Sequence, residues 1–106
     1  MTSLRLDKPW RTRGEVARVP GQLGVFELAD ESGQVLLIGV ADARSLFGLR
    51  SAIDDAFVQV DAAVKFRFES TAAYHTRYRE LLMVYRADHG RLPVANPPLR
   101  LGTLHP

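Results

Sequence analysis

The sequence predicts a single α/β domain of the α+β kind, in which a small three-stranded, mostly antiparallel sheet is flanked by helices. Three short segments, bounded by turn residues, have the length and the apolar or alternating pattern of strands. Two longer segments repeat apolar residues at intervals of three and four, which is the spacing of one helical face. Along the chain these elements fall in the order β-β-α-β-α, after an N-terminal arm.

The first two strands, 23–29 and 34–40, form a predicted hairpin. Residues 30–33, Asp-Glu-Ser-Gly, join them, and glycine is the residue that tight hairpin turns favour. The second strand is a nearly continuous apolar run, which is typical of a strand covered on both faces. We therefore expect Leu36 and Ile38 to be buried.

The first long helix is predicted to begin at Asp42, a residue type that caps helix N-termini, and to run to about Phe57. Four apolar side chains share one face of this helix at intervals of three and four residues. They are Leu46, Leu49, Ile53 and Phe57. That face is expected to pack on the sheet.

The third strand is predicted over residues 64–69, where apolar and charged residues alternate strictly. Val64, Phe66 and Phe68 form its apolar face, which is expected to be buried, while the charged face points to water.

The second long helix is predicted to begin at Ser70 or Thr71 and to run to about His89, where Gly90 is a typical C-terminal stop. Its expected buried stripe comprises Tyr74, Tyr78, Leu81, Leu82 and Tyr85.

The two ends of the chain complete the predicted organisation. Residues 1–19 form an arm, in which Trp10 is expected to be an anchor and residues 13–18 a short helical turn. Residues 20–97 form the domain itself. Residues 98–106 are expected to be an extended tail.

Composition excludes several classes of function. The chain has 106 residues and no cysteine, which excludes disulfides, thiolate catalysis and cysteine-based zinc sites. No stretch approaches the roughly 18 apolar residues of a membrane span, and the N-terminus has no apolar core of a secretory signal. We therefore expect a cytoplasmic protein that has no contact with membranes.

Charge is distributed unevenly along the chain. The net charge is +2, but residues 1–20 carry +3, residues 21–61 carry −5 and residues 62–106 carry +4. Basic ends that converge on one face could contact nucleic acid phosphates. The candidate side chains are Lys65, Arg67, Arg77, Arg79 and Arg86. The solvated faces of an ordinary strand and helix explain the same residues, so only weak nucleic-acid binding is expected.

Three short motifs together carry a family resemblance. Gly24-Val25-Phe26 lies in the first strand, and Leu37-Ile38-Gly39 follows in the second after ten residues. Pro93-Val94-Ala95-Asn96 follows the last helix. In this order and spacing, they resemble the GIY-YIG nuclease domain, which opens on Gly-Ile-Tyr and Tyr-Ile-Gly strands and closes with Pro-x-x-Asn. The resemblance covers about residues 20–97 and implies the same β-β-α-β-α order.

The resemblance also implies which positions would carry chemistry. The family acts on a phosphodiester with two hairpin tyrosines, an arginine of the first helix and a glutamate that binds a divalent metal. Here Phe26 and Leu37 occupy the tyrosine positions, and neither side chain can donate or accept a proton. Phe47 occupies the arginine position.

Nearby residues keep a nuclease alternative open. Arg44 and Arg50 lie three residues to either side of Phe47, and either could substitute for the missing arginine. Glu80 is the best match to the metal-binding glutamate. A divergent nuclease would use one of these arginines with Glu80 and Mg²⁺ or Mn²⁺, and nucleic-acid binding without cleavage is a further alternative.

The hypothesis that we favour from sequence is a catalytically inactive GIY-YIG-like domain. It would act as a binding or accessory module, through contact with a protein partner or with a second copy of itself. Trp10 or Met83 is expected to contribute to the contact surface. Under this hypothesis no metal and no other cofactor are expected.

Overall fold

A computed structural model describes residues 4–97 as a four-stranded antiparallel sheet with one α-helix on each face. The strands are β1 (Arg11–Thr12), β2 (Gly24–Ala29), β3 (Val35–Ala41) and β4 (Lys65–Ser70), and the helices are α1 (Gly48–Gln59) and α2 (Tyr74–His89). The sheet order is β1-β4-β2-β3. The predicted α+β class is confirmed, with one more strand than expected. Neither α-helix in this part of the chain is long and apolar enough to cross a membrane.

The central strand β2 is buried at all six of its residues, because it has strands on both sides and helices on both faces. Phe26 and Leu28 point into the cluster beneath α1, and Val25 points into the cluster beneath α2. Since successive side chains of a strand point to opposite faces, these contacts place the two helices on opposite sides of the sheet.

The hairpin between β2 and β3 forms as predicted, and Leu36 and Ile38 are both buried. A bulge changes which faces they occupy. Leu28 pairs with Leu37 and Ala29 pairs with Val35, so Leu36 is the extra residue. As a result, Leu36 points toward α1 whereas Ile38 points toward α2.

The predicted start of the first helix at Asp42 is wrong. One carboxylate oxygen of Asp42 accepts a hydrogen bond from the Arg44 backbone N–H at 2.9 Å, and the other accepts from the Arg44 guanidinium, so Asp42 closes a local turn. The helix begins at Gly48, which has a φ of 56° and packs against the backbone of Gln22. A side chain at Gly48 would collide with that backbone and would strain the positive φ.

The buried face of α1 is confirmed for three of the four expected residues. Leu49, Ile53 and Phe57 are buried against the sheet. Leu46 precedes the helix and is 82% exposed, so its assignment to the face is wrong because the helix starts later than expected.

The alternation of the third predicted strand is confirmed in β4 only from Lys65 onward. Phe66 is fully buried and meets the Phe57 ring edge-to-face, with 6.0 Å between ring centroids. Phe68 is partly buried and packs against the same cluster. The expected burial of Val64 is wrong, because this residue precedes the strand and is 46% exposed.

The second helix begins later than predicted and ends as predicted. Ser70 still belongs to β4, and the Thr71 hydroxyl accepts a hydrogen bond from the Ala73 backbone N–H at 3.1 Å within the connecting turn. Gly90 ends the helix with a φ of 77°. Of the expected stripe, Leu81, Leu82 and Tyr85 are buried, while Tyr74 and Tyr78 are only partly buried.

The N-terminal arm crosses the sheet edge and joins both sides of the fold. Leu6 is buried in the cluster beneath α2. The chain then pairs with β4 through β1, which supplies the fourth strand, and forms a 3₁₀ helix over Arg13–Arg18 where a helical turn was predicted. Val16 of this helix is buried in the cluster beneath α1. Trp10 anchors the arm, since the Arg67 guanidinium lies 4.1 Å from its ring centroid.

The Pro93–Asn96 segment covers the outer edge of β3. The Asn96 amide oxygen accepts a hydrogen bond from the Ile38 backbone N–H at 2.8 Å, and the amide nitrogen donates to the Ile38 carbonyl at 2.9 Å. The Ala95 backbone N–H donates to the Leu36 carbonyl at 2.9 Å. These bonds protect an edge that would otherwise offer unpaired backbone groups. The predicted tail, 98–106, lies outside the described residues.

The contrast between Phe66 and Val64 gives a matched test of the sheet. Phe66→Ala should lower the free energy of unfolding by about 3–5 kcal/mol, because it leaves a cavity between α1 and the sheet. Val64→Ala should change it by less than about 0.5 kcal/mol, because this side chain is largely exposed. Urea unfolding of the two variants measures both values. Similar small costs would show that the β4 face is not part of the core.

Candidate functional site

The two hairpin motifs, Gly24-Val25-Phe26 and Leu37-Ile38-Gly39, lie side by side in paired strands, and apolar side chains fill the space around them. Phe26 lies directly opposite Gly39 across the β2–β3 pair. Its ring covers Gly39 so closely that no side chain would fit at the glycine. Phe26 is 3% exposed, and Leu37 packs against the same cluster beneath α1. At this point the hairpin is therefore filled by apolar side chains.

The other motif positions are placed by backbone contacts. Gly24 allows β2 and β4 to approach closely, since a side chain there would meet the Glu69 carbonyl. Asn96 of the Pro93–Asn96 segment binds the backbone of Ile38, the central residue of Leu37-Ile38-Gly39. These contacts bring the second and third motifs into direct contact, 58 residues apart in the chain.

A groove opens between the 3₁₀ helix and α1, beside Phe47. Its volume is about 440 Å³. We call it the α1 groove, and it is lined by Arg13, Gly14, Val16, Ala17, Phe47, Arg50, Ser51 and Asp54. Phe47 is 56% exposed at its rim, although it is a large aromatic side chain. The groove therefore offers an aromatic surface to solvent.

Two arginines give the α1 groove a positive character. The Arg50 Nε donates to the Val19 carbonyl at 2.8 Å, which holds its guanidinium in place, and residues 4–97 provide no partner for its two terminal nitrogens. The Arg13 guanidinium lies 5.1 Å from the centroid of the Phe57 ring. Asp54 is the only acidic residue among those that line the groove. The set can bind anionic and apolar groups, but it contains no general base other than a carboxylate.

The residues of the nuclease alternative are not brought together. Arg50 is on α1, and Glu80 is on α2, on the other side of the sheet. Glu80 accepts a hydrogen bond from the Arg77 guanidinium at 2.5 Å. Arg44 is paired with Asp42 at 2.9 Å. Within residues 4–97, no group of three or more acidic or histidine side chains could hold a metal ion.

The five candidate phosphate contacts are divided between different environments. Arg77 is 8% exposed, and its guanidinium contacts Glu69, Glu80 and backbone carbonyls, so it is not available to a phosphate. Lys65 and Arg67 are on β4 beside the Trp10 ring. Arg79 and Arg86 are exposed on α2.

A buried carboxylate on β2 was not among the candidate residues predicted from the sequence. Glu27 is 5% exposed, in the middle of the central strand. The Arg67 Nε, directly opposite on β4, donates to one Glu27 carboxylate oxygen, Oε1, at 2.8 Å. A charged residue within a short apolar strand, facing an opposite charge at the matching place in a second strand, was the available signal.

A cavity of about 150 Å³ adjoins this carboxylate on the α2 side of the sheet. We call it the Glu27 cavity. Its lining combines paired charges with apolar side chains, and comprises Arg5, Leu6, Glu27, Val35, Arg67, Leu81, Val84, Tyr85, Asp88 and His89. The arm closes one side, because Arg5 pairs with Asp88 at 2.8 Å.

Burial raises the pKa of Glu27 above its ordinary value. The nearby guanidinium groups of Arg67 and Arg77 act in the opposite direction, but they offset only part of the effect of burial. A carboxyl with a raised pKa that lines a cavity is typical of functional sites, although structural ion pairs can produce the same shift.

These observations define a small α+β domain with an apolar hairpin and with one pocket beside each α-helix. Residues 4–88 match the family described as a domain of unknown function, DUF7508. This match covers most of the chain, which therefore belongs to that family. Among curated proteins and among solved structures, no match to the chain is found.

The raised pKa of Glu27 predicts how stability depends on pH. The folded state favours the protonated carboxyl, so this group stabilises the fold fully below its unfolded pKa of about 4.3 and loses that contribution as pH rises through the folded pKa. The free energy of unfolding of the wild type, minus that of Glu27→Gln, should therefore fall as the pH rises above about 4.

Urea unfolding at a series of pH values measures this difference. The other charged and titratable groups near Glu27 remain in both proteins, so their contributions largely cancel. They are Arg67, Glu69 and Lys65 on β4, Arg77, Tyr85, Asp88 and His89 on α2, and Arg5 on the arm. A difference that rises with pH would mean that the ion pair with Arg67 outweighs burial.

Proposed function

We propose that this protein is a catalytically inactive GIY-YIG-like binding module, and that the α1 groove binds a protein partner. The observation that carries the proposal is the exposure of Phe47 between two arginines. An aromatic side chain that is 56% exposed loses the stabilisation that burial would give, and such residues are characteristic of contact surfaces.

The absence of hydroxyl groups at the two hairpin positions Phe26 and Leu37 supports an inactive domain. Phe26 and Leu37 have no hydroxyl, and Phe26 already fills the space above Gly39. A substrate could reach this region only by displacing core residues. Arg50 and Glu80 could not act on one phosphate together without a rearrangement of the helices about the sheet, because they belong to helices on opposite faces.

The chemistry of the α1 groove favours an acidic protein segment with an apolar anchor. Its volume of about 440 Å³ is within the range of ordinary ligand pockets. Arg13 and Arg50 provide two positive charges against the single carboxylate of Asp54. An apolar side chain of the partner would pack on Phe47, and an adjacent carboxylate would accept bonds from the Arg50 guanidinium.

Self-association is the second form that such binding could take. Leu4 and Met83 are 54% and 51% exposed, and both line an apolar groove along α2. This surface would fit a second copy of the chain better than an acidic segment. Trp10 is less suited to a contact, because Arg67 and Lys65 already pack on its ring.

A comparative capture experiment tests the binding surface. The wild type, Phe47→Ala, Arg50→Glu and Val58→Ala are used as baits in extract of the native cells. Val58 is the matched control, since it is 67% exposed on the same helix but does not line the groove. A partner of the groove should bind the wild type and Val58→Ala equally, and lose about tenfold or more in affinity with the other two variants.

The affinities are then measured by titration calorimetry with the purified partner. Thermal unfolding of each bait checks that the substitutions leave the fold intact. Equal retention of every captured protein by all four baits would rule out the α1 groove as the binding surface. A wild-type dimer in sedimentation that dissociates in Met83→Glu would support self-association instead.

The proposal also predicts that the purified protein does not cleave DNA or RNA in the presence of Mg²⁺ or Mn²⁺. Cleavage assays with Glu80→Gln as the matched variant test this prediction, because glutamine keeps the shape of the side chain while it removes the charge. Metal-dependent cleavage by the wild type that disappears in Glu80→Gln would establish the divergent nuclease. Tight binding of nucleic acid without cleavage, at a salt concentration of about 150 mM, would favour the nucleic-acid alternative.

A further inference from the structure

The Glu27 cavity contains a buried hydrogen-bond acceptor that lacks a protein donor. The Glu27 side chain is 7% exposed, and Arg67 donates to its Oε1 at 2.8 Å. In the part of the chain that the structure describes, no donor reaches the other oxygen, Oε2. A buried carboxylate oxygen without a donor destabilises the ionised form, so a ligand that donates to it gains a favourable contact.

The walls of the cavity provide a second acceptor and an apolar lining. The Tyr85 hydroxyl is directed at the Val35 carbonyl, at 3.5 Å, and its oxygen can accept a further hydrogen bond. Leu6, Val35, Leu81 and Val84 provide the aliphatic part of the lining. At the rim, Arg5 and Asp88 neutralise each other, with contacts of 3.0 and 2.8 Å between guanidinium and carboxylate.

We propose that the Glu27 cavity binds a small primary amine in its ammonium form, with the charged end at Glu27 and an apolar body against Leu81 and Val84. The volume of about 150 Å³ sets the size. A protein cavity of that volume can hold benzene, so the amine has about six non-hydrogen atoms. This site is on the opposite side of the sheet from the α1 groove, and the proposal does not depend on the function proposed for that groove.

A cation fits this cavity better than an anion does. The positive charge of Arg67 is already matched by Glu27 and by the face of the Trp10 ring, and this side chain remains 22% exposed. The charge of Glu27 is the more deeply buried of the two and the less completely hydrogen-bonded. An ammonium group has three donors, and the lining of the cavity offers it two acceptors, the carboxylate of Glu27 and the hydroxyl of Tyr85. Burial raises the pKa of Glu27, which agrees with a carboxylate that is removed from water.

The test uses 3-methylbutylamine as the probe, because it has a charged end, a branched apolar body and the required size. The full chain is titrated at neutral pH while amide signals are followed by two-dimensional NMR. The amine should shift the signals of Val35, Leu81 and Tyr85 along a saturable curve. The alcohol of the same shape, 3-methylbutanol, should bind with an affinity lower by about tenfold or more, and 3-methylbutanoate should not bind.

Two variants distinguish the contribution of the Glu27 charge to binding from the contribution of the cavity space. Glu27→Gln should weaken amine binding by about tenfold or more while it leaves the alcohol unaffected. Val84→Phe should abolish binding of both, because the larger ring fills the cavity. Met83→Phe is its matched control, since Met83 is the adjacent residue of α2 and does not line the cavity. This control should bind the amine as the wild type does.

Several outcomes would overturn the proposal. Equal binding of amine and alcohol would show that the cavity recognises only apolar shape. No saturable shift, or unchanged amine binding by both Glu27→Gln and Val84→Phe, would show that the cavity holds water only. If Glu27→Gln fails to fold, the comparison of Val84→Phe with Met83→Phe decides the location, and the comparison of amine with alcohol decides the role of charge.

Discussion

The burial of β2 on both faces is the constraint on which the rest of this structure depends. All six of its residues are buried, with Phe26 and Leu28 in the cluster beneath α1 and Val25 in the cluster beneath α2. A shift of one residue in its pairing would turn every side chain to the opposite face. Phe26 and Leu28 would then leave the cluster beneath α1, and Glu27 would enter it. The ion pair between Glu27 and Arg67 therefore contributes to register as well as to charge balance, because it forms only when these residues are opposite each other.

The same constraint explains why the arm belongs to the folded unit. Arg77 is a second buried charge on the α2 side, and it is satisfied by Glu69 and Glu80 together with the carbonyl oxygens of Leu4 and Arg5. Because a buried guanidinium without partners is costly, these bonds hold the arm on α2. The arm in turn provides one wall of the Glu27 cavity. The candidate ligand site thus results from the way the fold neutralises its internal charges.

The sequence predicted the elements whose signals are local and missed those that tertiary contacts decide. The Asp30–Gly33 turn and the Phe66 face of β4 follow from turn chemistry and alternation, and both were predicted. The start of α1 was not predictable in this way, because Asp42 has a better local partner in Arg44 and because Gly48 must fit against Gln22. Burial of Glu27 had a signal, the charge within an apolar strand, but its meaning depends on the pairing with Arg67, 40 residues away.

The two faces of the sheet differ in the groups that they bury. Phe26 illustrates the apolar packing of the face beneath α1. Its ring lies against Gly39, so a tyrosine at this position would bury its hydroxyl within the apolar cluster beneath α1. A buried hydroxyl without a partner costs about 1–3 kcal/mol, so tyrosine at this position would destabilise the hairpin. On the same face, the α1 groove holds Arg50 in its lining and exposes Phe47 to solvent. The opposite face instead buries two charged groups, Glu27 and Arg77, and the cavity for which we propose an amine lies beside the first of them.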